Sequence, residues 1–239
     1  MDNLGNLAKK RWEKEGNDSP VPQRGAKRYF FLLGTHFWKL VAGNLLFLVF
    51  SIPVVTMPAS LAALNRVCVK LVRDGNCLLW QEFWAEWKQG FVSSLLLGLP
   101  YGIGIAAGYY LVSLGLSNVQ SIYGVLFTVP GMFALIVSGI YGSWAFVLKA
   151  MLALPNRDIR KNARTLAALE GKRDLMILGA LLVSGAVTFF FFPLSLIAVV
   201  LILPALTQFT VCFFINPPVQ ARVIAPFEAA QAEAAPPEG

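Results

Sequence analysis

Residues 91–116 read FVSSLLLGLPYGIGIAAGYYLVSLGL, an apolar run without a single Asp, Glu, Lys, Arg or His. As a helix it is long enough to cross the hydrocarbon core of a bilayer, which takes roughly 20 residues. Three further runs share this property: 122–148, 175–192 and 194–215. A helix of a soluble domain keeps charge on the face that meets water. These runs have no such face, so their surroundings are lipid and each other. Every charged residue falls between or beside them. The pattern predicts an all-α fold, a polytopic helical membrane bundle.

Composition agrees with that class. Of 239 residues, 56% are hydrophobic and only 14% charged, which leaves little chain for a separate soluble domain. The net charge of +7 flanks apolar spans, the placement of loops drawn to anionic lipid, and so does not point to nucleic acid. Three cysteines without a CxxC, and a single His, support neither a disulfide framework nor a metal site. The N-terminus lacks an early apolar core with a small-residue cleavage site, so no cleavable signal is expected.

Working back towards the N-terminus, residues 36–53 (HFWKLVAGNLLFLVFSIP) are apolar enough to enter the bilayer, with Trp38 as an interfacial anchor. Pro53 and Pro58 then each interrupt the helical hydrogen-bond ladder, and Thr56 lies between them. A second helix is expected to start at Pro58, since proline suits the first turn.

Charge fixes the pairing. Basic residues crowd the N-terminal arm, the segment after Pro58 and the connector 153–174. One crossing by residues 37–59 would place the last of these outside. An in-and-back hairpin puts all three on the cytoplasmic side, as positive-inside bias requires. The reading is therefore five to six membrane-embedded helices with both termini cytoplasmic. The second helix either crosses fully or re-enters. Residues 1–28 form a basic cytoplasmic arm, 29–215 the membrane domain and 216–239 a flexible tail rich in Ala, Pro and Glu.

Between the hairpin and the run at 91–116 lies LLWQEFWAEWKQGF. Trp80, Phe83, Trp84 and Trp87 recur at i, i+3, i+4 and i+7, opposite Gln81, Glu82, Glu86 and Gln89. That pattern predicts a helix in the interface plane, its aromatic face serving as an anchor. The alternative is an aromatic platform for a sugar or a partner.

Candidate chemistry is sparse. The four charge-free runs hold no ionisable residue of the kind that marks an ion path. No nucleophile with a base is apparent, so no catalytic residue, cofactor or metal site is assigned and the chain is not read as an enzyme. His36 is expected at an interface, and Asp158, Glu170 and Asp174 in ordinary solvated ion pairs. Gly98 and Gly102, and Gly104 and Gly108, form small-residue stripes suited to close helix packing. Pro100, Pro130 and Pro204 are expected to kink their spans. Asn44, Thr56, Thr188 and Gln208 are the polar groups available for interhelical bonds or an internal site. In the connector, Ile159, Ala163, Leu166 and Ala167 form an apolar stripe opposite Arg160, Lys161 and Arg164, a basic helix that lies on anionic lipid or docks on a protein.

The ordered set FWKL, NLLF, IPVVT-x-PA-x-x-x-AL and V-K-L-V-R-D, within residues 37–75, resembles the YesL-like family of bacterial membrane proteins, a domain of unknown function. FWAEWKQGF and KNARTLAAL resemble it too. Met57 departs from the pattern, standing where a Gly before Pro58 would be expected. The resemblance implies an integral membrane protein of the bacterial cytoplasmic membrane, encoded beside carbohydrate importer components. A sugar ABC-transporter permease is the partner it suggests, and it supplies no catalytic residues. The chain has no GxxxxGK[ST], so ATP hydrolysis would fall to another chain. The competing expectation is an autonomous small-solute transporter or channel, with the helix breaks lining a path.

Overall fold

The computed structural model describes residues 25–227, so most of the basic arm and the end of the tail lie outside the described residues. Among the described residues there are ten α-helices. They are α1 (Ala26–Thr35), α2 (Phe37–Ser51), α3 (Met57–Asp74), α4 (Leu79–Gln89), α5 (Phe91–Ser117), α6 (Ile122–Met151), α7 (Asn156–Leu169), α8 (Gly171–Phe190), α9 (Ser195–Leu201) and α10 (Leu203–Val219). Four helical stretches are long and apolar enough to cross a membrane: Val54–Asp74, Phe91–Ser117, Ile122–Met151 and Gly171–Phe190. The count rises to six if the bent pairs α1–α2 (71°) and α9–α10 (60°) each make one span. The all-α membrane bundle is therefore the observed fold.

The core lies around α3, the most buried span, which packs on α2, α4, α5, α6 and α10. Its apolar face is nearly continuous: Ala62, Ala63, Leu64, Val67, Cys68 and Leu71 are all inaccessible to solvent. The helix ends at Gly75, whose φ of 70° is the left-handed conformation that glycine adopts without penalty. The lipid-facing spans are the opposite case. On α5, α6 and α8 large apolar residues such as Ile103, Phe133 and Val183 are mostly exposed.

The basic residues have more specific work than orientation. Helix C-termini leave carbonyls without intrahelical donors, and arginines take them. Arg28 Nη2 donates to Val72 O at 2.8 Å and Arg66 Nη1 to Ala150 O at 2.7 Å, closing α3 and α6. Arg173 Nη1 donates to Phe214 O at 2.7 Å in α10. That last carbonyl is free because Pro218, four residues on, has no N–H to offer it. Together with the Arg222–Glu170 pair at 2.7 Å, these bonds gather the charged helix ends on one side of the bundle. The turns at 54–56, 118–121 and 191–194 carry no charge at all.

Three sequence expectations change here. The flexible tail does not begin at 216: α10 continues to Val219, a π-helical turn covers Gln220–Ile224, and Asn216, Pro218 and Val219 are buried. Residues 26–28 belong to α1 and not to a free arm. The kink expected at Pro204 in the run 194–215 is a full break two residues earlier, at Ile202, between α9 and α10.

Glycines bring α5 close to both α6 and α3. A Cβ on Gly108 would stand 2.9 Å from Gly131 O, and one on Gly98 would stand 2.7 Å from the Cβ of Pro58. Gly104 lies against Ser138. Gly102 is different, since nothing lies within 4 Å of its Cβ position, and it is not a packing residue. Gly108→Leu should therefore lower stability by about 2 kcal/mol through overpacking, and Gly102→Leu by less than about 0.5 kcal/mol. Denaturant titration of both variants in micelles measures the contrast, and equal losses would contradict it.

Candidate functional site

The helix breaks create a problem that side chains solve. The end of α9 leaves carbonyls, and the start of α10 leaves N–H groups, without helical partners in a region lipid cannot satisfy. Asn44, fully buried on α2, meets both. Its Nδ2 donates to Val199 O at 2.9 Å and to Val200 O at 2.8 Å, and its Oδ1 accepts from Ala205 N at 3.0 Å. One amide thus bridges α2 to the break between α9 and α10. The interhelical role expected for Asn44 is the observed one.

The break between α2 and α3 is closed in the same way. A 3₁₀ turn spans Val54–Thr56. Phe50 O accepts from Thr56 Oγ1 at 2.5 Å and from Ser60 Oγ at 2.9 Å, and Thr56 Oγ1 also lies 2.7 Å from Pro53 O. Pro58 sits in the first turn of α3, which begins one residue earlier than expected. Deeper along α3, Asn65 and Cys68 face α10. The Cys212 thiol donates to Asn65 Oδ1 at 3.2 Å, and Cys68 Sγ lies 4.0 Å from Ala205 O. The result is a buried polar seam between α2, α3 and α10. Of the other polar candidates, Thr188 spends its hydroxyl on Ser184 O of its own helix, and Gln208 is half-buried on α10.

The aromatic helix departs from expectation. Phe83 is fully buried and packs against Phe50 with ring centroids 5.7 Å apart, so it is a core residue and not an interfacial anchor. Which aromatic turns inward is set by where α3 and Phe50 stand, and periodicity within α4 does not carry that. Trp80, Trp84 and Trp87 form a stack, with near-parallel rings at 6.0 Å and 5.4 Å. Trp80 and Trp84 are exposed, as is Trp38 at the start of α2. On the other side of α4, Glu82 is held by Lys70 and lies 3.8 Å from Arg66, both on α3. The helix is therefore clamped to the bundle on two sides.

Three ionisable groups also differ from their sequence reading. Among the described residues neither Asp158 nor Asp174 is in an ion pair, and Asp174 accepts from Trp144 Nε1 at 2.6 Å. His36 is buried at the junction of α1 and α2 and not set out at an interface. Glu170 does pair, with Arg173 at 3.0 Å and with Arg222. On α7 the stripe Ile159, Ala163, Leu166 and Ala167 is buried against the bundle, so the helix does not lie with its apolar side in lipid. Lys161 and Arg164 face outward and Arg160 is half-buried.

In the turn after α3, burial pushes the Cys77 thiol up to about 11, with the Lys39 ammonium pulling the other way. A raised pKa keeps the unreactive thiol form. In a C68A/C212A background, the rate of iodoacetamide alkylation at pH 8 should be about 100-fold below that of a thiol of pKa near 9. The rate should also climb with pH to about 11. A plateau near pH 9 would contradict the burial.

Comparison with known families bears on the same region. The family described as "Protein of unknown function, DUF624" matches residues 40–110. The match covers about a third of the chain and is to an uncharacterised-domain family. No curated protein and no solved structure matches. The DUF624 match takes in Asn44, both prolines of the first break, all of α3 and α4, and about the first three-quarters of α5. The partners on α9 and α10 that complete the seam lie outside it.

Sequence reading missed Asn65, Ser60 and the approach of Cys68 to Cys212. Asn65 and Ser60 carried a usable signal, being polar residues at inward positions of an otherwise apolar helix face. The thiols carried none, because 144 positions separate them.

Proposed function

We propose that the chain is a non-enzymatic accessory protein of the bacterial cytoplasmic membrane, with both termini on the cytoplasmic side, that packs against the permease of a carbohydrate importer. The observation that carries this reading is the closure of the helix breaks. Transporters use broken helices to present backbone groups to a substrate or ion. Here Asn44 occupies the groups freed between α9 and α10, and Thr56 and Ser60 those between α2 and α3. Closed breaks favour a structural scaffold over a solute path. The exposed apolar faces of the α5–α6 hairpin offer lateral contact area for another membrane helix. The likeness to the YesL-like family supplies the carbohydrate importer, and the charge on one side of the bundle supplies the orientation.

One observation favours the competing reading of an autonomous transporter. A cleft of about 420 Å³ opens between α1, α8 and α10, lined by Tyr29, Val183, Ser184, Thr207 and Thr210 among others. Tyr29 Oη and Thr210 Oγ1 lie 2.8 Å apart there, and the rest of the wall is mostly apolar.

Crosslinking in native membranes, followed by mild-detergent copurification and mass spectrometry, separates the two. Stoichiometric recovery of a permease supports the accessory role. Recovery of the chain alone, with solute flux in liposomes containing only this protein, would overturn it.

A further inference from the structure

The basic helix α7 carries a cationic face that no carboxylate among the described residues neutralises. Arg157, Arg160, Lys161 and Arg164 recur at i, i+3, i+4 and i+7 and so share one side of the helix. Among the described residues, no carboxylate lies within 4.0 Å of any of the four. The contrast with their neighbours is sharp. Arg66 and Lys70 meet Glu82, and Arg173 and Arg222 meet Glu170. On α7 the only carboxylate is Asp158, which lies off this face.

The helix is also held against the membrane spans. Ser93 Oγ lies 3.0 Å from Asn156 Oδ1, and Asn156 Nδ2 donates to Ser93 O at 2.7 Å, fixing the start of α7 at the start of α5. Along its length α7 packs against α5 and α6. Its cationic face therefore stands beside apolar spans. Its own apolar stripe is already covered by the bundle.

We propose that Arg157, Arg160, Lys161 and Arg164 form a binding face for the phosphate headgroups of anionic phospholipids in the leaflet that α7 borders. Guanidinium groups bind phosphate oxygens bidentately, and unpaired cations beside apolar spans match a lipid's own division into charged head and apolar tail. The inference rests on the multi-pass membrane fold and is independent of whether the chain serves an importer. It also sets the mode of contact: α7 meets lipid with its charge, while its apolar side stays inside the protein.

The test uses the full-length chain in mixed micelles, with native mass spectrometry counting retained dioleoylphosphatidylglycerol or dioleoylphosphatidylcholine. Wild type should retain the anionic lipid preferentially. R160Q/K161Q/R164Q should lower that retention at least about 10-fold and leave the zwitterionic lipid unchanged. The control K27Q/R73Q/K88Q removes three charges from elsewhere on the described chain and should change little. Equal losses in both variants would overturn the proposal, reducing it to net charge. Unchanged retention in the α7 variant would also overturn it, and loss of a crosslinked protein instead would assign the face to an acidic partner. Should the α7 variant fail to fold, salt titration of wild type decides. Retention that falls as NaCl rises supports the site, and retention indifferent to salt overturns it.

Discussion

Asn44→Ala should be the most damaging polar substitution in the bundle, lowering stability by about 3 kcal/mol. The side chain makes three bonds to backbone groups across a helix break: two carbonyls, Val199 and Val200, and one N–H, Ala205. Truncation leaves all three without partners where neither lipid nor helix can replace them. Interhelical hydrogen bonds in membranes average about 0.6 kcal/mol each, so the three bonds supply about 2 kcal/mol and the unpartnered backbone groups the rest. Unfolding in mixed micelles as a function of SDS mole fraction gives the number. Asn44→Asp supplies a control, since it keeps the acceptor for Ala205 N but loses both donations. It should fall with alanine and not with wild type. A loss below about 0.5 kcal/mol for alanine would mean the break finds other partners.

Trp144→Ala should cost a comparable or larger amount, about 4 kcal/mol. Trp144 is the largest fully buried side chain among the described residues, and its indole N–H is held by Asp174 Oδ1 at 2.6 Å. Removing it opens a cavity between α6 and α8 and takes the donor from the carboxylate. Two further variants separate the contributions. Trp144→Phe keeps most of the volume and loses the donor, and Asp174→Asn keeps the volume and alters the acceptor. If packing dominates, both should cost about 1 kcal/mol, the size of one hydrogen bond. Should Asp174→Asn prove as harmful as Trp144→Ala, the charge and not the packing would be what holds α6 to α8.

These two residues mark where the sequence was and was not legible. The spans could be read because a charge-free run of helix length has one stable environment. The break at Pro53–Pro58 could be read because proline removes a backbone donor wherever it stands. The bend in the run 194–215 could be read from Pro204, although the break itself falls two residues earlier, at Ile202, and leaves Pro204 in the first turn of α10, where proline is tolerated. The inward stripe of α7 was read residue for residue, because opposite faces of that helix differ in polarity. Phe83 was not told apart from Trp84, because every member of that face is aromatic and polarity ranks none of them. Partner identity was the least legible of all. Asn44 and Val200 are 156 positions apart, and periodicity states which face is buried without stating against what. The continuation of α10 through Pro217 and Pro218 was hidden for a related reason, since the freed Phe214 carbonyl is taken by an arginine from another helix.

The hairpin of α5 and α6 bears on the membrane itself. Residues 91–116 make about 39 Å of apolar helix, against a hydrocarbon core of about 30 Å. Pro58 meets α5 at Gly98, so the remaining 19 residues of α5 to Ser117, about 28 Å, extend beyond that contact. Lipid must accommodate the excess, either by letting the hairpin lean to about 40° or by stretching its acyl chains around it. Either deformation has an elastic cost of a fraction of a kcal/mol per Å. That cost shrinks when two such proteins share one distorted patch, or when the hairpin sits beside another protein of equal hydrophobic length. Bilayer thickness thereby becomes a force that sorts this chain towards thicker membrane and towards tall neighbours, before any side chain recognises another.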